Sequence, residues 1–209
     1  PEGENIVVQY TYDLLGNQLS VTDAAGGRLI YTYDAGSRLS QVKQKLGTEY
    51  LTTSYAYDDE TSHSGYITNK VTDANGNVKE AVFDAAGRKI RDIDIGSTTD
   101  NTQMSTTYSY NKSRVSTVTR NDNSKESYTY NDLGQITRVN YYEAAEDISH
   151  PSDEYLVYSY DELGNVTSES IYHGTTETTT TYTYDSMGRL ASTTQGSLAS
   201  GGVEIDYTY

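Results

Sequence analysis

The sequence predicts an all-β protein, a long curved antiparallel sheet made of tandem β-hairpins. Three observations lead to this prediction. Tyrosine occurs 22 times, against one Phe and no Trp. A Tyr-x-Tyr motif recurs along the 209 residues. Thr, Ser, Asp and Gly dominate the composition, where a helix bundle would be rich in Ala, Leu, Glu and Lys. Aromatic and β-branched residues favour strands, and Asp and Gly favour turns.

The repeat unit starts with Tyr-x-Tyr-Asp-x-x-Gly or a close variant. It begins at positions 10, 31, 55, 81, 108, 128, 158, 182 and 207, at intervals of 20 to 30 residues. Such an interval holds two strands and two turns, so each repeat is one hairpin and the chain has about eight units. No stretch resembles an interdomain linker, and we predict a single repeat domain over residues 1–209. The framework residues are Tyr10, Tyr12, Asp13, Gly16, Tyr31, Tyr33, Asp34, Phe83, Asp84, Gly87, Tyr128, Tyr130, Gly134, Tyr158, Tyr160, Asp161, Gly164, Tyr182, Tyr184, Asp185 and Gly188.

Each position of the motif has a physical role in a hairpin. Side chains alternate along a strand, so both rings of a pair such as Tyr158 and Tyr160 project from one face. Asp161 opens a turn because its carboxylate accepts a hydrogen bond from the backbone two residues further on. Gly164 supplies the positive φ that ends the common three-residue hairpin loop. Val166 then begins the return strand.

A single hairpin is only marginally stable in water, so the units must stack. We expect stacking to bring successive Tyr pairs side by side as a ladder, in which each cross-strand aromatic pair contributes about 0.2–1 kcal/mol. The hydroxyls are expected to reach water or backbone at the sheet margin. Phe83 indicates that an inward Tyr can be replaced by Phe with little loss.

Three stretches interrupt the repeat. Residues 59–69 predict a polar loop, and residues 96–103 predict a loop rich in Ser, Thr and Asp. Residues 141–155 predict a surface excursion that holds one helical turn before His150 and Pro151.

The charge balance excludes several classes of partner. Lys plus Arg is 15 and Asp plus Glu is 30, which gives a formal net charge of −15. Nucleic acid and anionic membrane surfaces require clustered Lys and Arg, and here the basic residues are scattered, so we predict neither partner. No apolar run approaches the roughly 20 residues of a membrane span, and we predict no membrane insertion. The absence of Cys excludes a disulfide scaffold, a Cys-type zinc site and a thiol nucleophile.

The candidate metal ligands favour a structural interpretation. His63, His150 and His173 lie far apart in the sequence and lack ligand spacing. Residues 73–77 resemble the start of a calcium loop, but the Gly is fourth rather than sixth. The twelfth position, where a calcium loop places Glu, is Asp84 of the next turn. We therefore predict no metal and no cofactor.

The candidate catalytic groups are equally weak. Asp58 with Asp59, and Asp92 with Asp94, are the kind of carboxylate pair that glycoside hydrolysis uses. In a chain with 30 acidic residues such pairs are expected from composition alone. The sequence has no G-x-S-x-G nucleophile elbow, and Gly26-Gly27 is not followed by the helix pattern of a phosphate-binding loop. We predict a non-enzymatic protein, with a glycosidase as the least favoured hypothesis.

The motif resembles the YD repeats of Rhs proteins, wall-associated bacterial proteins and teneurins. The copies at residues 158–166 and 182–190 are close matches, and those at 10–17 and 128–136 are nearly so. The resemblance implies a spiralling β-sheet that forms a hollow shell. It also implies a secreted or surface-displayed bacterial protein whose shell encapsulates or presents a C-terminal toxin or effector, so that the partner is the remainder of the same polypeptide.

The sequence departs from the family pattern at one important point. It lacks the Asp-Pro-x-Gly segment of the Rhs-associated core, because neither Pro1 nor Pro151 follows Asp. Self-cleavage and toxicity are therefore not transferred to any residue here. The chain begins without Met and ends inside a repeat copy, so we expect a segment of a larger protein with open sheet edges, which favour self-association.

A second function stays open at this point. Tyr rows buried within the sheet are structural, whereas rows exposed on a face stack on glycans. A carbohydrate-binding or adhesion module is therefore the alternative to a shell segment.

Overall fold

The computed structural model describes residues 7–60, 62–96, 103–144, 148, 152–196 and 202–209. Its 17 strands are all antiparallel to their partners, and the described residues contain no helix, hence none that spans a membrane. The predicted all-β antiparallel fold is confirmed. The chain divides into two compact units, residues 1–106 and 107–209. That the two units form a single domain stays a prediction.

The first unit is a meander in which each strand pairs with the next one along the chain. Its eight strands are β1 (Gln9–Tyr12), β2 (Gln18–Thr22), β3 (Arg28–Tyr33), β4 (Leu39–Leu46), β5 (Glu49–Asp59), β6 (Ile67–Thr72), β7 (Val78–Phe83) and β8 (Lys89–Ile95). β1 does not pair with β8 within the described residues, so this sheet is open.

The second unit repeats the same meander. Its strands are β9 (Gln103–Asn111), whose pairs begin at Thr107, then β10 (Arg114–Thr119), β11 (Lys125–Tyr130), β12 (Ile136–Tyr142), β13 (Glu154–Tyr160), β14 (Val166–His173), β15 (Thr176–Tyr184), β16 (Leu190–Gln195) and β17 (Val203–Asp206). β9 and β17 do not pair with each other in the described part of the unit.

The predicted strand–turn–strand unit is confirmed. In the turn after β13, the Asp161 amide donates to the Asn165 carbonyl at 2.9 Å, and the Gly164 amide donates to the Asp161 carbonyl at 3.1 Å. Gly164 has φ +89°. This is a type I turn followed by a left-handed residue, the common three-residue hairpin connection. The same two bonds close the turns that begin at residues 13, 23, 34, 73, 84, 120, 131, 161 and 185.

Tyrosine pairs of successive repeats do not lie side by side, which corrects the predicted ladder. A return strand lies between them, as β14 does between β13 and β15. Tyr128 therefore lies opposite Val139, and Tyr158 lies opposite Glu169. The register thus places an aliphatic or carboxylate residue of the intervening strand, rather than another motif Tyr, opposite each of these two residues.

The interruptions are shorter than the sequence indicates. β5 continues to Asp59 and β6 begins at Ile67, so the predicted loop at 59–69 contracts to residues 60–66. Tyr141 and Tyr142 end β12, so the predicted excursion begins at residue 143 rather than 141. The helical turn predicted before His150 and Pro151 stays a prediction. Residues 145–147, His150 and Pro151 lie outside the described residues, as do residues 97–102 of the third interruption.

Few hydrophobic side chains are buried, because each unit is a single layer of strands. Among the described residues the buried hydrophobic ones are Val78, Val82, Ile93, Val139 and Tyr142. The first three lie on one face of β7 and β8, where residues 60–66 depart from the regular turn. Elsewhere in the two units, polar contacts provide much of the stabilisation.

Candidate functional site

The turn aspartate makes more hydrogen bonds than any other motif residue. Asp161 Oδ1 accepts from the amides of Leu163 at 3.0 Å and Asn165 at 2.8 Å. Its Oδ2 accepts from Asn165 Nδ2 at 2.9 Å. The pKa of Asp161 is lowered, first by the side-chain bond from Asn165, because donors stabilise the charged form. The carboxylate therefore closes its own turn rather than facing a ligand.

The residue after the turn glycine completes this network, a role that sequence reasoning missed. In Asp34, Asp84 and Asp185 the Oδ2 accepts from the Nε of the Arg four residues later, at 2.8, 2.8 and 2.7 Å. Asn occupies that position in the turns at 13, 73 and 161. The signal was present in the motif, where the fifth turn residue is nearly always Arg, Asn or Gln.

Two turns place a residue other than glycine at the left-handed position. Ser37 has φ +59° and Asn123 has φ +68°. Gly36 precedes the position that needs it, so the sequence has the correct residue type one place too early. Such a φ is uncommon for residues with a Cβ.

Neighbouring turns on one margin also contact each other. In the first unit, Asn17 Nδ2 donates to Ser37 Oγ at 3.2 Å, and Arg38 forms an ion pair with Asp58. In the second unit, Gln135 Nε2 donates to the Gly164 carbonyl at 3.2 Å. The fifth turn residue thus connects one repeat to the next as well as closing its own turn.

The second tyrosine of each motif connects repeats in a different way. The Tyr160 hydroxyl donates to the Ile136 carbonyl at 2.6 Å, and Ile136 is the first residue of the preceding repeat's return strand. The expectation that hydroxyls reach backbone at the sheet margin is confirmed at six positions. The pairs are Tyr33–Gln18, Tyr57–Leu39, Tyr130–Val115, Tyr160–Ile136, Tyr184–Val166 and Tyr209–Leu190.

Phe83 occupies the corresponding position in its repeat but has no hydroxyl. Phe83 therefore cannot make the bond between repeats, and that it replaces Tyr with little loss stays a prediction. Phe83 pairs with Ile67 on β6, directly after the 60–66 insert. The replacement occurs where the preceding turn has itself been replaced by an insert.

Within the second unit, the first tyrosine of the motif interacts with carboxylates, as the following three residues show. Tyr158 and Tyr182 both donate to Glu169, each at 3.2 Å. Tyr128 donates to Glu126, which also pairs with Arg120. Burial, reinforced by Glu169, raises the pKa of Tyr158 to about 12. The phenols are therefore proton donors at neutral pH, and the carboxylates accept from them.

At the start of the chain the motif is more open. Tyr10 and Tyr12 are 53% and 57% exposed on β1. Tyr31 on β3 lies opposite Val42 on β4 and is half-buried. The framework glycines Gly16, Gly87, Gly134 and Gly188 all have positive φ.

The 60–66 insert contacts one face of β6 and β7. His63 Nδ1 lies 3.3 Å from Thr68 Oγ1 and 3.9 Å from Glu80 Oε2. Glu80 is 8% exposed and also pairs with Lys70 at 3.6 Å. A buried carboxylate requires polar or charged partners, and here Lys70 and the His63 imidazole lie beside it. His63 is thus a local contact of the insert.

The other candidate metal ligands are not brought together. Asp73 Oδ1 accepts from the amides of Asn75 and Asn77 at 2.9 and 2.8 Å, so the calcium-like loop is a closed turn. His173 lies 3.4 Å from Glu154, and His150 is outside the described residues. No group of three metal-ligating side chains occurs in the part of the chain that the structure describes.

The paired aspartates have cationic neighbours. Asp94 pairs with Lys79 at 3.1 Å, and Asp92 pairs with Lys89 at 2.8 Å. Asp58 is held by Arg38. These carboxylates form cross-strand and local ion pairs on the sheet.

The geometry defines a strand–turn repeat protein whose motif residues close turns and connect neighbouring repeats. A family model described as RHS Repeat matches residues 12–49 and 160–203. These two parts of the chain resemble RHS repeats, which confirms the resemblance seen in the sequence. No curated protein matches the sequence.

Several solved structures are similar to the chain. The crystal structure of TcdB2-TccC3-Cdc42 is 16% identical with a TM-score of 0.44, over 96% of this chain and 16% of that one. A Photorhabdus luminescens Tc holotoxin pore structure is 16% identical with a TM-score of 0.43, over 95% and 15%. A porin-like protein from Bacteroides uniformis is 16% identical with a TM-score of 0.41, over 91% and 87%. The chain thus spans about one sixth of the first two proteins.

Proposed function

We propose that this chain is a non-enzymatic wall segment of a larger secreted or surface-displayed bacterial Rhs-type protein, whose sheet encloses or presents a C-terminal toxin or effector. The RHS repeats support a structural role. The framework side chains support it as well, because they are occupied by turn closure and by contacts between repeats. In the regular turns that begin with Asp, the carboxylate closes its own turn, as Asp13, Asp84 and Asp161 do.

The uncovered face of the single-layer sheet is the observation that carries the proposal. In the second unit Tyr141, Leu156 and Ile171 lie on the same face, as their register requires. Tyr141 and Ile171 remain 37% and 39% exposed. A moderately apolar face without a second layer suits a wall that borders another polypeptide.

The test uses the full-length gene product. Limited proteolysis followed by mass spectrometry measures the cleavage rate of the segment C-terminal to the repeats, with that segment expressed alone as the control. We expect the enclosed segment to resist cleavage and to become cleavable when Gly164→Val loosens a wall hairpin. Cleavage of the native product as fast as the isolated segment would refute enclosure.

Glycan binding by exposed Tyr rows is the alternative and has less support. The second Tyr of six repeats already uses its hydroxyl to bind backbone, and the first Tyr of three repeats in the second unit donates to carboxylates. Tyr10 and Tyr12 are the exposed exceptions. Binding to a glycan array that disappears in Tyr10→Ala and persists in Tyr160→Phe would favour the alternative.

A further inference from the structure

The two margins of the second unit carry different turns. In an antiparallel meander every second turn lies at the same margin. The turns from β11 to β12, β13 to β14 and β15 to β16 share one margin, and their third residues are Leu133, Leu163 and Met187. These side chains are 79%, 84% and 78% exposed. At the opposite margin, the third residue of the turn from β10 to β11 is Asp122.

Nothing in the turn requires a large apolar residue at this position. The equivalent residues of four first-unit turns are Ala25, Gly36, Asn75 and Ala86, and those turns close with the same backbone hydrogen bonds. Single exposed apolar residues are ordinary on protein surfaces. Three of them on successive turns of one margin form a regular set, which we call the apolar turn row (Leu133, Leu163 and Met187).

The apolar turn row is held rigidly and evenly. Each turn is closed by two backbone bonds, and Gln135 connects the first turn to the second through the Gly164 carbonyl at 3.2 Å. Successive members are separated by two strands, hence by about 10 Å. Seven residues of an α-helix also span about 10.5 Å. A helix lying across the turns therefore repeats its apolar positions at the spacing of the row.

The charged side chains beside the apolar turn row indicate the charge that a partner should carry. Asp132 and Glu162 each precede a member of the row, and Asp161 and Asp185 open two of its turns. Two cations, Arg114 and Arg189, lie at the first and third turns, so these turns remain net negative in a chain of net charge −15. A second copy of the same margin would bring like charges together, whereas a basic helix would not. Apolar anchors flanked by Lys or Arg are the complementary chemistry.

We propose that the apolar turn row is a docking surface for a basic amphipathic α-helix of another protein, with apolar residues at positions i, i+7 and i+14. Each apolar residue contacts one turn tip, and Lys or Arg on either side faces Asp132 and Glu162.

The test measures binding of a synthetic helical peptide of about 20 residues, with Leu at i, i+7 and i+14 and flanking Lys. Fluorescence anisotropy compares the native chain with the triple variant Leu133→Ser, Leu163→Ser, Met187→Ser. We expect the triple variant to bind about tenfold more weakly or worse, because anchor residues carry most of the affinity. Leu15→Ser is the matched control, since Leu15 has the same turn position and 80% exposure in the first unit.

Four results would overturn the proposal. One is the absence of binding to the native chain, and another is equal binding to the triple variant. The third is equal binding of a peptide with Glu in place of Lys, which would remove the charge argument. Sedimentation provides the last of these tests. If the native chain forms a concentration-dependent dimer and the triple variant does not, the apolar turn row is occupied by a second copy and the proposal is wrong.

Discussion

The regions β6–β8 and β13–β16 use the same turns but are stabilised in different ways. β6–β8 bury Val82 at 2% and Ile93 at 3% exposure, together with Thr68 at 0%. The four strands β13–β16 bury no hydrophobic side chain. Their buried residues are Ser170 and Ser192, whose hydroxyls lie 2.6 and 2.9 Å from those of Thr179 and Thr183.

The difference shows that the repeat does not need a hydrophobic core of its own. Where the insert replaces a turn, the connection by a Tyr hydroxyl is missing at Phe83 and aliphatic burial takes its place. Where the turns are regular, polar connections suffice. Hydrophobic burial and polar hydrogen bonds between repeats are thus two ways of stabilising the same strand–turn backbone. The following substitutions measure their contributions separately.

The largest effect is expected at the buried cluster. Ile93→Ala should reduce the free energy of unfolding of the first unit by about 3 kcal/mol, because it removes transfer energy and leaves a cavity. Ile171→Ala is the matched control, because Ile171 is 39% exposed in the polar region, and it should cost less than about 1 kcal/mol. Chemical denaturation with native-state hydrogen exchange measures both. Equal losses would contradict the comparison.

The next effect is expected in a regular turn. Gly164→Val places a β-branched residue at φ +89°, and its Cβ would lie 3.2 Å from Gln135 Nε2. We expect a loss of about 1–3 kcal/mol in the second unit. Gly36→Ala serves as the control, because Gly36 does not have a positive φ. An unchanged thermal midpoint for Gly164→Val would contradict the turn assignment.

Alkaline pH should loosen the second unit through its phenols. Burial is the first cause of the raised pKa in six tyrosines, namely Tyr128, Tyr130, Tyr141, Tyr158, Tyr160 and Tyr182. Because these tyrosines hold their protons more tightly in the folded state, they stabilise it fully at pH values below 10.0, the ordinary pKa of the phenol. This stabilisation is lost as pH rises toward about 12, the pKa of Tyr158. Hydrogen-exchange protection and denaturant midpoints measured across that window should fall. A flat profile would show that the phenols do not stabilise the unit.

A smaller effect is expected when one connection between repeats is removed. Tyr160→Phe deletes the hydroxyl bond to the Ile136 carbonyl and should cost about 1 kcal/mol. Tyr12→Phe is the control, since Tyr12 is 57% exposed, and we expect almost no change. Double-variant analysis with Ile93→Ala should be additive, because the two sites lie in different units. A loss for Tyr12→Phe as large as that for Tyr160→Phe would rule out a specific hydroxyl contribution.

The smallest effect has the opposite sign. Ser37→Gly relieves a φ of +59° and should raise stability by about 0.5 kcal/mol, because glycine adopts this conformation without steric cost. The variant also removes Ser37 Oγ, which accepts from Asn17, so Ser37→Ala is the control for that bond. Thermal unfolding distinguishes the two variants. A lower midpoint for Ser37→Gly than for the native chain would show that the lost hydroxyl bond outweighs the relieved strain.

The sequence predicts the strand–turn–strand unit well, because Asp161 and Gly164 act through local geometry that neighbouring residues determine. It does not predict the partner of Tyr160, because Ile136 is 24 residues away and only the register brings it close. The expected ring ladder is wrong for the same reason, since a periodic motif does not reveal the strand between two copies. Ser37 shows the local limit, because Gly36 supplies the right residue in the wrong place.

The six hydroxyl connections described above run in one direction along the polypeptide. Each Tyr reaches a carbonyl of lower residue number, from Tyr33 to Gln18 near one end and from Tyr209 to Leu190 at the other. A hairpin that leaves the ribosome or a translocon therefore finds its acceptor already formed by the hairpin made before it. The acceptor of each of these bonds is thus synthesised before its donor.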